Sequence, residues 1–376
     1  MPDGHGNLDI EAILRQTGGQ NCNIDIRFQD GIVWLTRIRL EDPLLPPKPV
    51  QAYISLSEVS TLQYLESTGV PVPKKFHFAS ESSENLVGVP FLLTEKREGA
   101  PLVWDMTTPS QRTKILEQLT DLLLVLEKYP SSSTGSIVTS DGSSKIGGFA
   151  QPLLFDSPNA ALGPFDDLES SLRAMLAQQM RLIANGELSS LAVDHHLSHR
   201  WRGDMIPEVL SLHNHGGFFL KQFEEKGDHI LVDDDFNITG IIDWEFASME
   251  PKALAFSSPC MLWPVADFYA GSNGLSPEEL ELAAIFERRG RNDLADMVRN
   301  GRKMQRFLFF NGGGVSHEQE EFEAMFQGLR AAWAGHNNEP GPYQTWKDEA
   351  LKKYAGDEQL MHLLRRSTTQ SQSHSG

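Results

Sequence analysis

The chain reads as an α+β protein of two lobes: a small strand-rich lobe over residues 1–97 and a larger, mainly helical lobe over 98–366. Three observations carry that reading. The first lobe has short apolar strands separated by Gly- and Pro-bearing turns, with a single helical pattern among them. The second opens helices repeatedly on capping residues, at Thr108, Ser276 and Ser316. Within it one hairpin stands out, because its second apolar strand runs straight into a carboxylate.

Composition bounds what such a fold does. Of 376 residues, 40% are apolar and 22% charged, which suits a globular chain with a substantial core. The formal net charge of −18 argues against nucleic acid and against an anionic membrane surface as partners, since both need clustered Lys and Arg. Only Cys22 and Cys260 are present, so no disulfide framework is implied and a reducing, cytoplasmic setting is expected. The most apolar run, Leu122–Leu126, is far too short to span a bilayer.

The elements follow in order. Gly18-Gly19-Gln20-Asn21 breaks the chain before a strand at Ile24–Gln29. Asp30-Gly31 then turns it into a second strand at Val33–Leu40. Leu44–Pro49, with its prolines, predicts a loop, and Ser57–Ser67 a helix stopped by Gly69 and the prolines after it. Val89–Thr94 is a further strand, and Glu95–Gly99 the expected hinge between lobes. Thr108, Pro109 and Gln111 open a helix whose Ile115, Leu116, Leu119, Leu122, Leu123 and Leu126 form a core face. Ser131–Gly148, rich in Ser and Gly, predicts a long surface loop. Asp167–Ala184 is a helix closed by Gly186, and helices start again at Ser276 and Ser316. The polar stretch 367–376 is expected to be disordered.

The hairpin spans Asp228 to Glu245, DHILVDDDFNITGIIDWE. Strands His229–Val232 and Ile238–Ile242 flank a polar turn, and Asp243 ends the second strand with Glu245 two residues on. A carboxylate delivered at the rim of a buried hairpin suits a divalent metal, because Mg²⁺ takes hard oxygen ligands and leaves its other positions to phosphates. These residues resemble the metal-binding hairpin of the aminoglycoside phosphotransferase and choline-kinase group, which shares the protein-kinase fold. The resemblance extends over roughly residues 15–335. It implies a bilobal kinase-like fold, with an antiparallel N-terminal sheet that binds nucleotide and a helical C-terminal lobe that holds the metal.

The resemblance also assigns positions. Asp243 falls on the metal-binding acid. His229 falls where the group places a metal-binding Asn, Glu224 on its catalytic Asp, and Gln222 on its motif His. Arg37, in the strand WLTRI, falls on the phosphate-binding cation, and Glu58 on the helix carboxylate that holds it. Gly18 and Gly19 fall where a glycine-rich loop would cover phosphates, and Glu95, heading the hinge, among the nucleotide-contacting positions. Plainer readings stand beside these: a tight turn at the glycines, a surface Arg37, and a Glu58 that merely favours its helix N-terminus. Nitrogen from His229 would shift preference from Mg²⁺ towards softer ions such as Mn²⁺ or Zn²⁺. Glu224 adds a methylene to the presumed base, and a misplacement of about 1 Å costs about a hundredfold. His195 and His199 have chelating spacing yet read as a surface cluster, as do His213 and His215. Lys221 and Lys226 read as solvated, with contact to a phosphate as the alternative, and Trp263 as a packing residue in a region that the resemblance places beside the acceptor pocket.

The function implied is ATP- or GTP-dependent phosphorylation of a small-molecule hydroxyl with Mg²⁺ or Mn²⁺, by a monomer or homodimer. Two alternatives remain: a kinase-like fold repurposed for chemistry without nucleotide, through Glu224 and His229 as acid and base, and a non-catalytic pseudokinase-like binding protein.

Overall fold

A computed structural model describes residues 20–41, 45–81, 85–188, 191–213, 216–222, 225–311, 315–334 and 339–373, with side chains to 366. Gly18, Gly19, Glu224 and His215 lie outside the described residues.

Strands β1 (Asn21–Arg27), β2 (Val33–Arg39), β3 (Lys75–Ala79) and β4 (Phe91–Glu95) form one antiparallel sheet in the order β1-β2-β4-β3. Helix α1 (Lys48–Leu65) lies between β2 and β3 in sequence. Strand alternation in β2 is imperfect because both faces carry apolar groups. One face directs Leu35, Arg37 and Arg39 inward; the other carries Trp34, whose ring sits 4.6 Å from Phe28 and 4.5 Å from Phe76. The expected loop over Leu44–Pro49 gives way to helix at Lys48. Proline in a first helical turn forfeits only an N–H that has no partner there anyway, so Pro49 starts the helix instead of preventing it.

Beyond the hinge, β5 (Ala100–Pro101) leads into α2 (Pro109–Leu126), opened by Thr108 and Gln111 in a reciprocal capping box. The expected surface loop at 131–148 is instead a hairpin, β6 (Ser136–Ser140) and β7 (Ser143–Gly147). Its two-residue turn has positive φ at Asp141 (54°) and Gly142 (76°), as a type I′ turn requires. The serines hid a half-buried strand: Ile137 is 1% exposed and the Ser136 hydroxyl donates to Ala247 O. This hairpin packs on α1. Thr139 Oγ donates to Ser60 Oγ at 3.0 Å, and Tyr53 Oη donates to Gly148 O at 3.0 Å.

A short strand pair follows, β8 (Phe155–Ser157) with β9 (Ala160–Ala161). Helix α3 (Leu168–Asn185) is closed by Gly186 at φ 80°, as the sequence predicts, and Asp167 caps its start instead of forming its first residue. Then come α4 (Ala192–Asp204) and α5 (Ile206–Ser211). Strand β10 (Phe218–Lys221) pairs with β13 (Ser248–Pro251); β11 (Ile230–Val232) pairs with β12 (Ile238–Ile241) and with β5. The remaining helices are α6 (Lys252–Ala255), α7 (Val265–Tyr269), α8 (Pro277–Arg288), α9 (Asn292–Arg299), α10 (Arg302–Phe309), α11 (Gln319–Ala334), α12 (Tyr343–Lys353) and α13 (Glu358–Ser373). Ser276 caps α8 as expected, whereas α11 begins only at Gln319, and Ser316 Oγ accepts from Glu318 N instead. The polar stretch after Arg366 continues α13 to Ser373, since extending a formed helix costs little even with Ser, Thr and Gln.

The histidines of α4 are not a surface cluster. His195, His196 and His199 are all buried, with His196 Nε2 3.0 Å from Asp357 and His199 Nδ1 2.9 Å from Arg202. Among the described residues, no helix is long and apolar enough to cross a membrane.

Candidate active site

Between the sheet and the β11–β12 hairpin lies a cavity of about 520 Å³, lined from the sheet by Asn21, Asn23, Leu35, Arg37, Leu92 and Thr94. Glu58 joins from α1, and Lys226, Asp228, His229, Asp243 and Glu245 from the larger lobe. The strand period explains the sheet's share, because alternate residues of three adjacent strands point to one face.

Arg37 is the hub. One guanidinium nitrogen meets Glu58, and Nη2 lies 3.4 Å from Asp243 and 3.6 Å from Glu245. Burial opposes the charge on Arg37, yet Glu58, Asp243 and Glu245 together hold its pKa above the ordinary value. Burial, with Glu245 and Asp243 nearby, pushes Glu58 upward against the pull of Arg37. Glu58 sits deep within α1, not in its first turn, so a mere preference for the helix N-terminus does not explain it. Arg39, two residues along the same strand face, forms an ion pair with Glu245.

Asp243 leaves the hairpin with φ of 62°, a left-handed conformation that Asp tolerates better than most residues, and its side chain is 47% exposed in the cleft. The backbone beneath it is held by Gln222, whose Nε2 donates to both Ile242 O and Asp243 O at 2.7 Å. The turn of the hairpin is built by Asp233, whose carboxylate accepts from the N–H groups of Asp235 and Asn237.

His229 is buried at the wall of the cavity. Burial lowers its pKa to about 4, with Lys221 adding and Asp228 and Asp243 opposing, so the ring is neutral at pH 7. Its Nδ1 accepts from Gly227 N at 3.3 Å, which leaves the ring proton on Nε2. As placed, His229 therefore offers an N–H rather than a lone pair. Among the described residues, no three His, Cys, Asp or Glu side chains form a ready-made metal cluster. The donor set fits a divalent ion through Asp243 and does not show a complete cage.

Some expected positions sit differently. The Glu95 side chain turns from the cavity, accepting from Lys74 N at 3.2 Å and lying 3.5 Å from Arg97, while Thr94 lines the cavity in its place. Lys221 is not solvated: it pairs with Glu225 at 2.7 Å, and burial raises the Glu225 pKa against that partner. Trp263 is half-buried, its indole N–H donating to Ser258 O at 3.0 Å. Thr94 and Arg39 are the residues here that no motif in the sequence marks. The signal for the sheet residues was there in the two-residue strand period.

The fold and cleft define a kinase-like phosphotransferase architecture. Residues 45–268, more than half the chain, match the model of the phosphotransferase enzyme family, and the chain belongs to that family. Among solved structures, one described as a fructosamine-3-kinase from Thermobifida fusca is 13% identical, with a TM-score of 0.52, covering 85% of this chain and 92% of its own. The aminoglycoside phosphotransferase APH(4)-Ia, solved with AMP-PNP and hygromycin B, is 13% identical at a TM-score of 0.47, covering 85% and 93%. An aminoglycoside phosphotransferase solved with GDP and kanamycin is 16% identical at 0.44, covering 91% of each chain. No curated protein sequence matches the chain.

Proposed function

We propose that the chain transfers a phosphoryl group from ATP or GTP to a hydroxyl of a small molecule. The observation that supports this best is Arg37, held by Glu58 and facing Asp243 across the cleft. In this reading Arg37 pairs the inner phosphates, Glu58 fixes its guanidinium, and Thr94 borders the nucleobase end of the cavity. Asp243 would hold the metal, and Gln222 keeps its backbone aimed. A divalent ion held by Asp243, Mg²⁺ or Mn²⁺, would supply positive charge to neutralise the phosphates. Glu224, by its place in the sequence, would orient the acceptor hydroxyl, and its extra methylene makes transfer slow.

Thermal shift with ATP and GTP, each with Mg²⁺ or Mn²⁺, is the first test, because binding to the native state alone raises stability with ligand concentration. Transfer to a panel of sugars, amino alcohols and aromatic alcohols, followed by nucleoside diphosphate release, is the second. Asp243→Asn should cut transfer by about a hundredfold or more. Absence of stabilisation by either nucleotide with either ion would end the reading.

A second reading, nucleotide binding without transfer, draws support from the His229 N–H and from Gln222, which cannot be protonated. It predicts nucleotide-dependent stabilisation with no product, and no gain when Gln222→His and Glu224→Asp are combined.

A further inference from the structure

The β2 face that carries Arg37 ends in a second cation whose bonding is incomplete. The Arg39 side chain is only 9% exposed, and one nitrogen pairs with Glu245. Its Nε and Nη2 are buried and have no hydrogen-bond partner among the described residues. A guanidinium presents five N–H donors in a fixed fork, and buried donors in native proteins are nearly always satisfied. Arg39 thus holds donors in reserve.

Its place along the sheet says for what. The strand runs from the hinge end, where Trp34 pairs with Glu95, to the far end, where Arg39 pairs with Asn21. Arg37 lies between. Two residues along a strand cover about 6.6 Å, comparable to the reach of a polyphosphate from its first to its last phosphorus. Glu245, the present partner of Arg39, itself lines the cavity, so the guanidinium stands one ion pair back from that space. Glu245 is also 3.6 Å from Arg37, so two cations share it. Two guanidiniums and the carboxylates of Glu58, Asp243 and Glu245 therefore meet in one cluster. Planar guanidinium matches phosphate oxygens in paired bonds better than an ammonium does.

Resting on the phosphotransferase reading, we propose that Arg39 is a second phosphate-binding residue, parked on Glu245 and exchanging that carboxylate for the terminal phosphate of a nucleoside triphosphate. Arg37 takes the inner phosphates and Arg39 the outer one.

The test compares AMP, ADP, ATP and inorganic tripolyphosphate by calorimetry on the full chain, without metal and then with Mg²⁺. Wild type should bind with affinity rising along the series. Arg39→Gln should weaken ATP and tripolyphosphate at least tenfold while leaving AMP within about twofold. A role confined to holding the lobes together would weaken all four equally, and that result overturns the proposal. Should Arg39→Gln not fold, Glu245→Gln serves instead. With the competing carboxylate gone, metal-free tripolyphosphate should bind several-fold tighter, and unchanged or weaker binding overturns the idea. Tripolyphosphate binding without nucleotide binding would sink the kinase reading and with it the claim on a nucleotide's terminal phosphate, whereas nucleotide binding that Arg39→Gln leaves unchanged would sink the Arg39 proposal alone. Binding of neither would sink both.

Discussion

At the scale of single residues the site is a matter of which atoms carry protons. His229 stands where its family resemblance implies an amide oxygen, and its ring presents Nε2–H towards its surroundings while Nδ1 is engaged by Gly227. His229→Asn should therefore raise the Mg²⁺-supported transfer rate and lower the ratio of Mn²⁺ to Mg²⁺ activity, since a carbonyl oxygen suits the harder ion. An unchanged ratio would remove His229 from the metal's neighbourhood. Glu250 offers a cleaner measurement. Burial pushes its pKa up to about 7, with only the Ser248 hydroxyl and Lys221 opposing. Its ordinary value is 4.5, so the native state holds the proton more tightly than the unfolded chain between those limits. Stability from this group is thus full below pH 4.5 and is lost as pH rises through about 7. Glu250→Gln, which keeps an acceptor for Ser248, should gain stability over wild type from pH 5 to 8, by about 2 to 3 kcal/mol at the plateau. Urea unfolding at several pH values would show it, and a pH-independent difference would refute the burial argument. Residue identity was legible here where a motif marked it, as at Asp243 and Arg37. Arg39 and Glu245 were not joined by reading, because their bond spans 206 positions of chain.

Among elements, the instructive one is the β6–β7 hairpin. Composition points to a loop, since Ser and Gly dominate residues 131–148, and the apolar residues Ile137, Val138 and Ile146 are too few to outweigh them. Asp141 and Gly142 were the available signal, being a favoured two-residue hairpin turn. Helices fared better because their caps are local: Thr108 and Ser276 each accept the backbone N–H that the sequence assigned them. Two glycines of the hairpin region make a paired test. Gly142 has φ 76° and open space where a Cβ would stand, so Gly142→Ala should cost about 1 kcal/mol of backbone strain alone. Gly135 has φ 142°, and a Cβ there would lie 2.1 Å from Gly147 O. Gly135→Ala should cost more than about 2 kcal/mol, because strain and collision add. Equal shifts in the denaturation midpoint would mean the hairpin is not packed as described.

Over the whole molecule, α1 belongs mechanically with the larger lobe. Ser60 and Tyr53 bond the β6–β7 region, and Val50 and Ile54 share a cluster with Phe246, just past Asp243. The four-stranded sheet meets that body through Arg37 and Arg39, through Leu92 and Phe78 in the cluster that holds Val59, Leu62 and Leu65, and at the hinge, where Arg97 donates to Thr239 O. Closure on nucleotide and metal should therefore move the sheet against a unit of α1 plus the larger lobe. Paired spin labels at Arg27 and Lys145, in a background lacking Cys22 and Cys260, should shift by several ångströms, while labels at Gln63 and Lys145 hold their separation. Movement of the second pair with the first would show that α1 travels with the sheet. The two-lobe plan was readable from element order alone; the allegiance of α1 was not, since it depends on the hairpin that composition concealed.

Gln222 carries one last consequence. A histidine clasping the strand end below Asp243 would change its donors on acidification, and the grip would slacken in step. A carboxamide has no such chemistry, so the clasp formed by its two 2.7 Å bonds is indifferent to acidity. Whatever sets the acidic limit of this protein's working range must be sought among its carboxylates and its ring nitrogens, because this anchor holds in vinegar as firmly as in buffer.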